Sequence, residues 1–246
     1  VSSRQRLRAA IAAPVVGLFA ALVGWGFSGA PAFGRFHGPY GDLLNSIAVP
    51  QRHATNVVTS IVFDYRGFDT MGEEFILFAS VVGVVLLLRG MHEPSGDEDD
   101  PVASDAIRLF GGLMVGAVVL AGLWLAAFGL VTPGGGFQGG VVISGGIVLV
   151  FLAAGYRPWR SFGRDDLLDP FEGGGAAAYV AVGLAALIAG APFLHNLLGF
   201  GIAGTLKSGG SMTLLNWAVA IEVAAANLVL YTEFLESYLV PHLSGE

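Results

Sequence analysis

Glu222 interrupts an apolar run that extends from Thr213 to Val240, about nine residues in from its start. An acidic side chain at the mid-depth of a membrane helix costs about 2.5–3.5 kcal/mol, so it must be protonated, paired or turned towards water. A proton or cation relay satisfies that requirement, and so does a carboxyl that hydrogen-bonds a neighbouring subunit. Asn216 and Asn227 lie on the same stretch and offer amides to such a site. Ala218, Ala220, Ala224, Ala225 and Ala226 give it a small-residue surface suited to close helix packing.

A second group of carboxylates, Asp64, Asp69, Glu73 and Glu74, falls within eleven positions and includes Arg66. Crowded acids can gather a cation or hold one another's protons. A structural reading stands beside that one. Thr70-Met71-Gly72-Glu73 matches the S/T-x-x-E capping box, which predicts a helix starting there and running on through Phe75 to Leu88. Capping accounts for Glu73 but not for Glu74. Near the carboxyl end, Glu233 and Glu236 are expected at the membrane surface and in water.

The third feature is Pro133-Gly134-Gly135-Gly136-Phe137-Gln138-Gly139-Gly140. Its G-x-G-x-x-G spacing would suit a dinucleotide only after a strand in a βαβ unit, and both flanks here are apolar helical runs. Pro133 ends the preceding helix, and Gly136 and Gly140 form a G-x-x-x-G step that allows close helix contact. The loop reads either as a tight interhelical hairpin or as a wet break in the membrane, since irregular backbone at that depth must be buried in protein or line a cavity.

Other chemistries find no support. The absence of cysteine removes thiolate sites and disulfides. No histidine pair has metal-like spacing with a carboxylate: His37 and His53 lie in the first outer loop, and His195 is expected at the outer end of the fifth span. Ser144 has only Gly and Val close by, and no nucleophile–base pair is visible, so neither a catalytic residue nor a cofactor is expected. A net charge of −7 argues against a nucleic-acid surface.

The elements that must carry these residues follow from composition. Of the 246 residues, 54% are hydrophobic and only 13% charged, about half the charge of a soluble domain, which implies an all-α polytopic membrane protein. Six spans are predicted: Ala9–Phe27, Phe75–Leu88, Ile107–Val131, Phe137–Gly155, Ala176–Leu194 and Thr213–Val240. The first is longer than a signal-peptide core and is therefore read as a span. Ser28 to Arg52 reads as a long outer loop, and Ala54 to Phe63 is too short to cross.

Asp97, Glu98, Asp99 and Asp100, between Pro94 and Pro101, mark a solvated acidic linker over 93–105. It separates a two-helix module, 1–92, from a four-helix module, 106–246. With both termini cytoplasmic, Arg4, Arg6, Arg8, Arg89, Arg108, Arg157, Arg160 and Arg164 lie inside, while Arg35, Arg52, Arg66 and Lys207 lie outside, as the positive-inside rule prefers. Arginine in place of lysine, with much Ala, Gly and Val, points to a GC-rich bacterial genome and so to a bacterial inner membrane.

The Pro-Gly-Gly-Gly-Phe-Gln-Gly-Gly loop between two hydrophobic helices resembles the MnhB-like subunit of the multisubunit Mrp-type cation/proton antiporters. Gly209-Gly210-Ser211, Leu214-Leu215-Asn216-Trp217-Ala218-Val219 and Glu222-Val223 are similar to that family's last helix. Upstream, Asn56-Val57-Val58 and Asp64 to Glu73 resemble the carboxyl-terminal segment of the antiporters' large A-type subunit, which is the small E-type subunit of membrane-bound hydrogenases. The chain resembles a fusion of the two. The resemblance implies an accessory subunit assembled with large complex I-like subunits and other membrane subunits. It also implies a path for monovalent cations and protons, with Glu222, Glu73, Glu74, Asp69 and Asp64 as its candidates. A redox-driven relative of that complex, or a purely structural subunit, are the other readings.

Overall fold

The computed structural model describes residues 3–30, 34, 38–88 and 104–243. Most of the expected acidic linker, and His37 of the first loop, lie outside the described residues. The chain divides into two compact units, Val1–Leu43 and Leu44–Glu246. The first contains α1 (Ser3–Ser28), which is apolar from Ala12 onward. Where an outer loop is expected between Ser28 and Arg52, the chain instead forms α2 (Pro39–Arg52). Proline at the first helical position and Asp42 in the first turn are helix-start residues, here set in a glycine-rich context that reads as loop.

The larger unit holds a short α3 (Val57–Ser60), a single wide π turn (Ile61–Tyr65) and six further helices. These are α4 (Gly67–Leu88), α5 (Asp105–Ala127), α6 (Gly136–Ala154), the short α7 (Tyr156–Arg160), α8 (Asp165–Ile188) and α9 (Met212–Leu243). Five of them, α4, α5, α6, α8 and α9, are long and apolar enough to span a bilayer. The sixth expected span corresponds to the shorter apolar stretch Ala12–Ser28 of α1. The protein is therefore an all-α, multi-pass membrane protein.

α9 is the axis of the larger unit. In its most apolar window 61% of residues are buried, against 11% for α4 and 17% for α5, so α4 and α5 turn most of their surface outward. The fold explains this with small residues. A Cβ on Gly140 would come within 2.8 Å of the Ala220 carbonyl, and one on Gly136 would collide with the Asn216 carbonyl. The G-x-x-x-G step thus lets α6 lie directly on α9.

Two boundaries differ from expectation. α4 begins at Gly67, so Thr70 is not its cap but a buried residue one turn inside, and Glu73 does not close a capping box. The π turn carries the chain almost unbroken into α4, leaving no extended cap residue of the kind that motif needs. α8 starts at Asp165, eleven residues before the expected Ala176, and ends at Ile188, leaving Leu194 and His195 in the following loop. Pro170 and Gly173-Gly174-Gly175 read as loop in isolation. They persist as helix, and α9 lies against it at Gly175: a Cβ there would sit 2.6 Å from the Glu222 Cβ.

At the end of the unit away from the glycine loop, Arg160 Nε lies 2.9 Å from Glu236, and Tyr156 Oη donates to the same carboxylate at 3.0 Å. Glu233 is buried. The expectation that both acids sit free in water is corrected: Glu233 is buried, and Tyr156 and Arg160 of α7 hold Glu236.

Candidate functional site

Gly134 and Gly135 both adopt φ of +148°, a conformation open to glycine and strained for other residues. They turn the chain from α5 into α6, and hydrogen bonds from other segments join local ones in holding the turn. Gly135 N–H donates to the Leu125 carbonyl at 3.1 Å. Gly136 N–H, the orphan donor at the start of α6, donates to Asn216 Oδ1 at 2.7 Å, and Asn216 Nδ2 donates back to the Ala126 carbonyl at 2.8 Å. Asn216 is fully buried, so one amide closes the end of α5 and opens α6 together.

The upstream segment completes the cap. Asn56 Nδ2 donates to the carbonyls of Gly129 (2.8 Å) and Thr132 (3.1 Å), and Thr59 Oγ1 donates to Gly129 at 2.6 Å. Thr55 Oγ1 reaches the Val131 carbonyl at 2.6 Å. Residues 55–59, on the amino-terminal side of the acidic segment, thus satisfy carbonyls of the loop on its carboxyl-terminal side.

Beneath the glycine loop lies a cavity of about 260 Å³ bordered by Gly134, Gly135 and Gly136, with Thr59, Thr70, Glu73, Glu74, Gln138 and Val219 among its lining. The volume admits several waters, and its hydroxyl, amide and carboxyl groups give them partners. The loop is therefore both the tight hairpin and the wall of a polar cavity. Glu74 is 3% exposed, and its Oε2 has no hydrogen-bond partner among the described residues. Glu73 lines the same cavity with its side chain exposed.

The four upstream acids, close in sequence, are divided by the fold. Asp64 and Asp69 line a separate open cleft of about 750 Å³ that His195 also borders. Arg52 Nε contacts Asp64 at 2.5 Å, with its guanidinium 4.7 Å above the Tyr65 ring and 5.3 Å from that of Phe200. Arg66 Nε pairs with Asp69 at 2.5 Å at the surface. Partial burial raises the Tyr65 phenol above its ordinary value, with Arg52 acting in the opposite sense. Two of the candidate acids are thus neutralised by arginine in the cleft, and two belong to the cavity.

Glu222 lies deeper. It is fully buried, and neither carboxyl oxygen has a hydrogen-bond partner among the described residues. The two amides expected to serve it do not: Asn216 is committed to the loop, and Asn227 donates to the Val223 carbonyl at 3.0 Å. Instead Glu222 lies within electrostatic range of Glu74 and of Glu172. Glu172, 5% exposed on α8, is missed in the sequence because the glycines after it suggest a loop. A signal is present nonetheless: Leu168, Glu172, Gly175, Ala176 and Tyr179 recur at helical spacing, and all are buried. Glu222 is therefore not a solitary buried acid: Glu74 and Glu172, both buried, lie within its electrostatic range.

The comparisons with known proteins agree with this architecture. The family described as "Domain related to MnhB subunit of Na+/H+ antiporter" matches residues 106–229. The MbhE family, the E-type subunit of MBH, matches residues 5–101. An uncharacterized protein of Methanocaldococcus jannaschii is 28% identical, covering 74% of this chain and 78% of its own. A probable K+/H+ antiporter A/B subunit of Rhizobium meliloti is 33% identical over 42% of this chain, which spans only 13% of that protein.

Among solved structures, a chain of the membrane-bound sulfane sulfur reductase, an archaeal respiratory membrane complex, matches with a TM-score of 0.72 and 25% identity. That match covers 94% of this chain and 99% of the other. A chain of the Mrp complex from Dietzia sp. DQ12-45-1b matches with a TM-score of 0.71 at 23% identity, over 97% of this chain and 26% of the other, a likeness of fold. With half of its length matched by that domain, the chain belongs to the family of the MnhB-related Na+/H+ antiporter subunits.

Proposed function

We propose that this chain is an accessory membrane subunit of a multisubunit cation/proton antiporter, and that the cavity beneath its glycine loop lies on the ion path. One observation carries this reading: Glu74, buried with an unpartnered oxygen, opens into a polar cavity walled by the loop that identifies the family. Glu73 stands at the margin of that cavity and Glu222 beyond it. Asp64 and Asp69, held by Arg52 and Arg66, shape the cleft through which a cation approaches. Residues 1–92 and 106–246 act as two modules joined through the acidic segment 93–105, and the partners are the complex's large complex I-like subunits and other small membrane subunits. The positive-inside distribution favours a bacterial cytoplasmic membrane with both termini inside.

The test is Glu74→Gln in the assembled complex, reconstituted in vesicles with a proton-sensitive dye. Cation-driven proton movement falls at least tenfold if Glu74 is on the path. Wild-type exchange by an intact complex removes it.

A second reading has specific support, because the chain matches the sulfane sulfur reductase chain over nearly the whole length of both. The same module then serves a redox-driven ion pump. Purification distinguishes the two: co-isolated iron–sulfur subunits favour the redox complex, and a complex of hydrophobic subunits with cation/proton exchange favours the antiporter.

A further inference from the structure

Glu73 stands six residues into α4, on the outside of a helix apolar enough to cross a bilayer. At 1.5 Å per residue it lies about 9 Å from the end of α4, and a span of this length reaches little beyond the hydrocarbon core. Its side chain is exposed at that depth and makes no ion pair or hydrogen bond among the described residues. Glutamate lacks the long stem by which lysine and arginine reach back to the membrane surface. Ionisable groups inside a membrane face a protein interior or water, or pair with one another. The outside of α4 at Glu73 therefore does not face lipid in the assembled complex.

Glu73 belongs to a stripe. Gly72, Glu73, Ile76, Ala79, Ser80 and Gly83 recur at three- and four-residue spacing and so share one face of the helix, the first five exposed and Gly83 partly so. A Cβ on Gly72 or Gly83 would meet nothing within 4 Å, whereas one on Gly136, Gly140 or Gly175 would strike α9. Glycine weakens a helix interior, and no contact within this chain requires it at 72 and 83. Small residues turned outward from a membrane helix let a second helix approach closely.

The cavity beneath the glycine loop opens beside this stripe. Val58 and Phe137, 62% and 50% exposed, line it together with Glu73 and the exposed Gln138, so its polar interior reaches the outside of the chain. We propose that a membrane-spanning helix of a neighbouring subunit lies along the stripe, closes the mouth of the cavity and places a lysine or arginine against Glu73. Charge selects that occupant, because lipid tails and an apolar helix both leave the carboxylate uncompensated. α1 holds no Lys, Arg or His between Ala9 and Ser28, and Arg66, the nearest base in sequence, is committed to Asp69. The counter-charge therefore comes from another chain, and the cavity is complete only in the complex. This interface is needed whichever ion the complex moves, so it goes beyond the antiporter reading.

The experiment places the photo-crosslinking residue p-benzoylphenylalanine at Ile76, 69% exposed and one turn beyond Glu73, in the complete complex, and maps the product by mass spectrometry. The expected product is a crosslink to a spanning helix of another subunit, within about four residues, or one helical turn, of a lysine or arginine. Lipid adducts without a protein product, a crosslink to α1, or a helix with no basic residue near the crosslink overturns the proposal. Charge reversal supplies the second arm. Glu73→Lys should lower the yield of complete complex on native gels at least tenfold, and changing the mapped base to glutamate should restore it. Wild-type yield from Glu73→Lys alone overturns the pairing. So does failure of the reversed partner to rescue it, since rescue separates a lost pair from a misfolded chain. Both readouts are of assembly, so a complex without cation/proton exchange sinks the antiporter reading and leaves the interface to stand or fall on these results.

Discussion

Asn216 and Glu222 lie six residues apart on α9 and both are fully buried, yet they are treated in opposite ways. Asn216 donates to the Ala126 carbonyl and accepts from Gly136 N–H. Glu222 has no hydrogen bond among the described residues. At the glycine loop the buried Asn216 amide is matched on both sides, and in the middle of the helix a costly group is left without a hydrogen-bond partner among the described residues. The difference separates a polar residue that builds the fold from one that the fold tolerates. Substitutions should divide in the same way, with those above costing stability and those below costing transport.

The largest effect is expected at Gly136. Any side chain there meets the backbone carbonyl of Asn216, which cannot rotate away. Gly136→Val should destabilise by more than about 4 kcal/mol and abolish assembly of the complex on native gels. If the variant assembles and exchanges ions normally, the close contact between α6 and α9 is not what holds the loop.

Asn216→Leu comes next. It leaves Gly136 N–H and the Ala126 carbonyl buried without partners, at about 1–3 kcal/mol each, for a total of about 2–6 kcal/mol. The thermal midpoint of the purified complex should fall accordingly, and any residual assembled complex should still exchange ions at a reduced level. A stable complex that has lost exchange would place Asn216 on the ion path and dissolve the distinction between the two residues.

How much of this is legible in the sequence depends on what each residue touches. Gly136 and Gly140 announce close packing in any context, because the spacing itself places both on one helix face, and the structure puts α9 there. Glu222 is legible because nothing around it in sequence is polar. Thr70 and Glu73 mislead, since a capping box is a local pattern and the π turn before Gly67 has already begun the helix. Glu172 is hidden for the converse reason. The glycines that follow it weaken a helix when alone, and only the presence of α9 makes one of them, Gly175, a contact surface. Local chemistry can be read where it needs no partner, and fails where another helix decides the outcome.

The smallest effect on stability, and the most informative, belongs to Glu222. The neutral acid and glutamine have nearly the same shape, and each carries one donor-bearing and one acceptor group. Because Glu222 has no hydrogen-bond partner among the described residues to lose, Glu222→Gln should change the stability of the complex by less than about 1 kcal/mol, whereas the same kind of polar loss at Asn216 is severe. Transport should show the reverse, with cation-driven proton movement reduced at least tenfold. A structural carboxyl bonded to a neighbouring subunit would behave otherwise, since removing its charge would strand the partner and lower the thermal midpoint by several degrees. Measuring midpoint and flux on the same preparation therefore decides what the vacant hydrogen-bonding capacity at the centre of α9 is for.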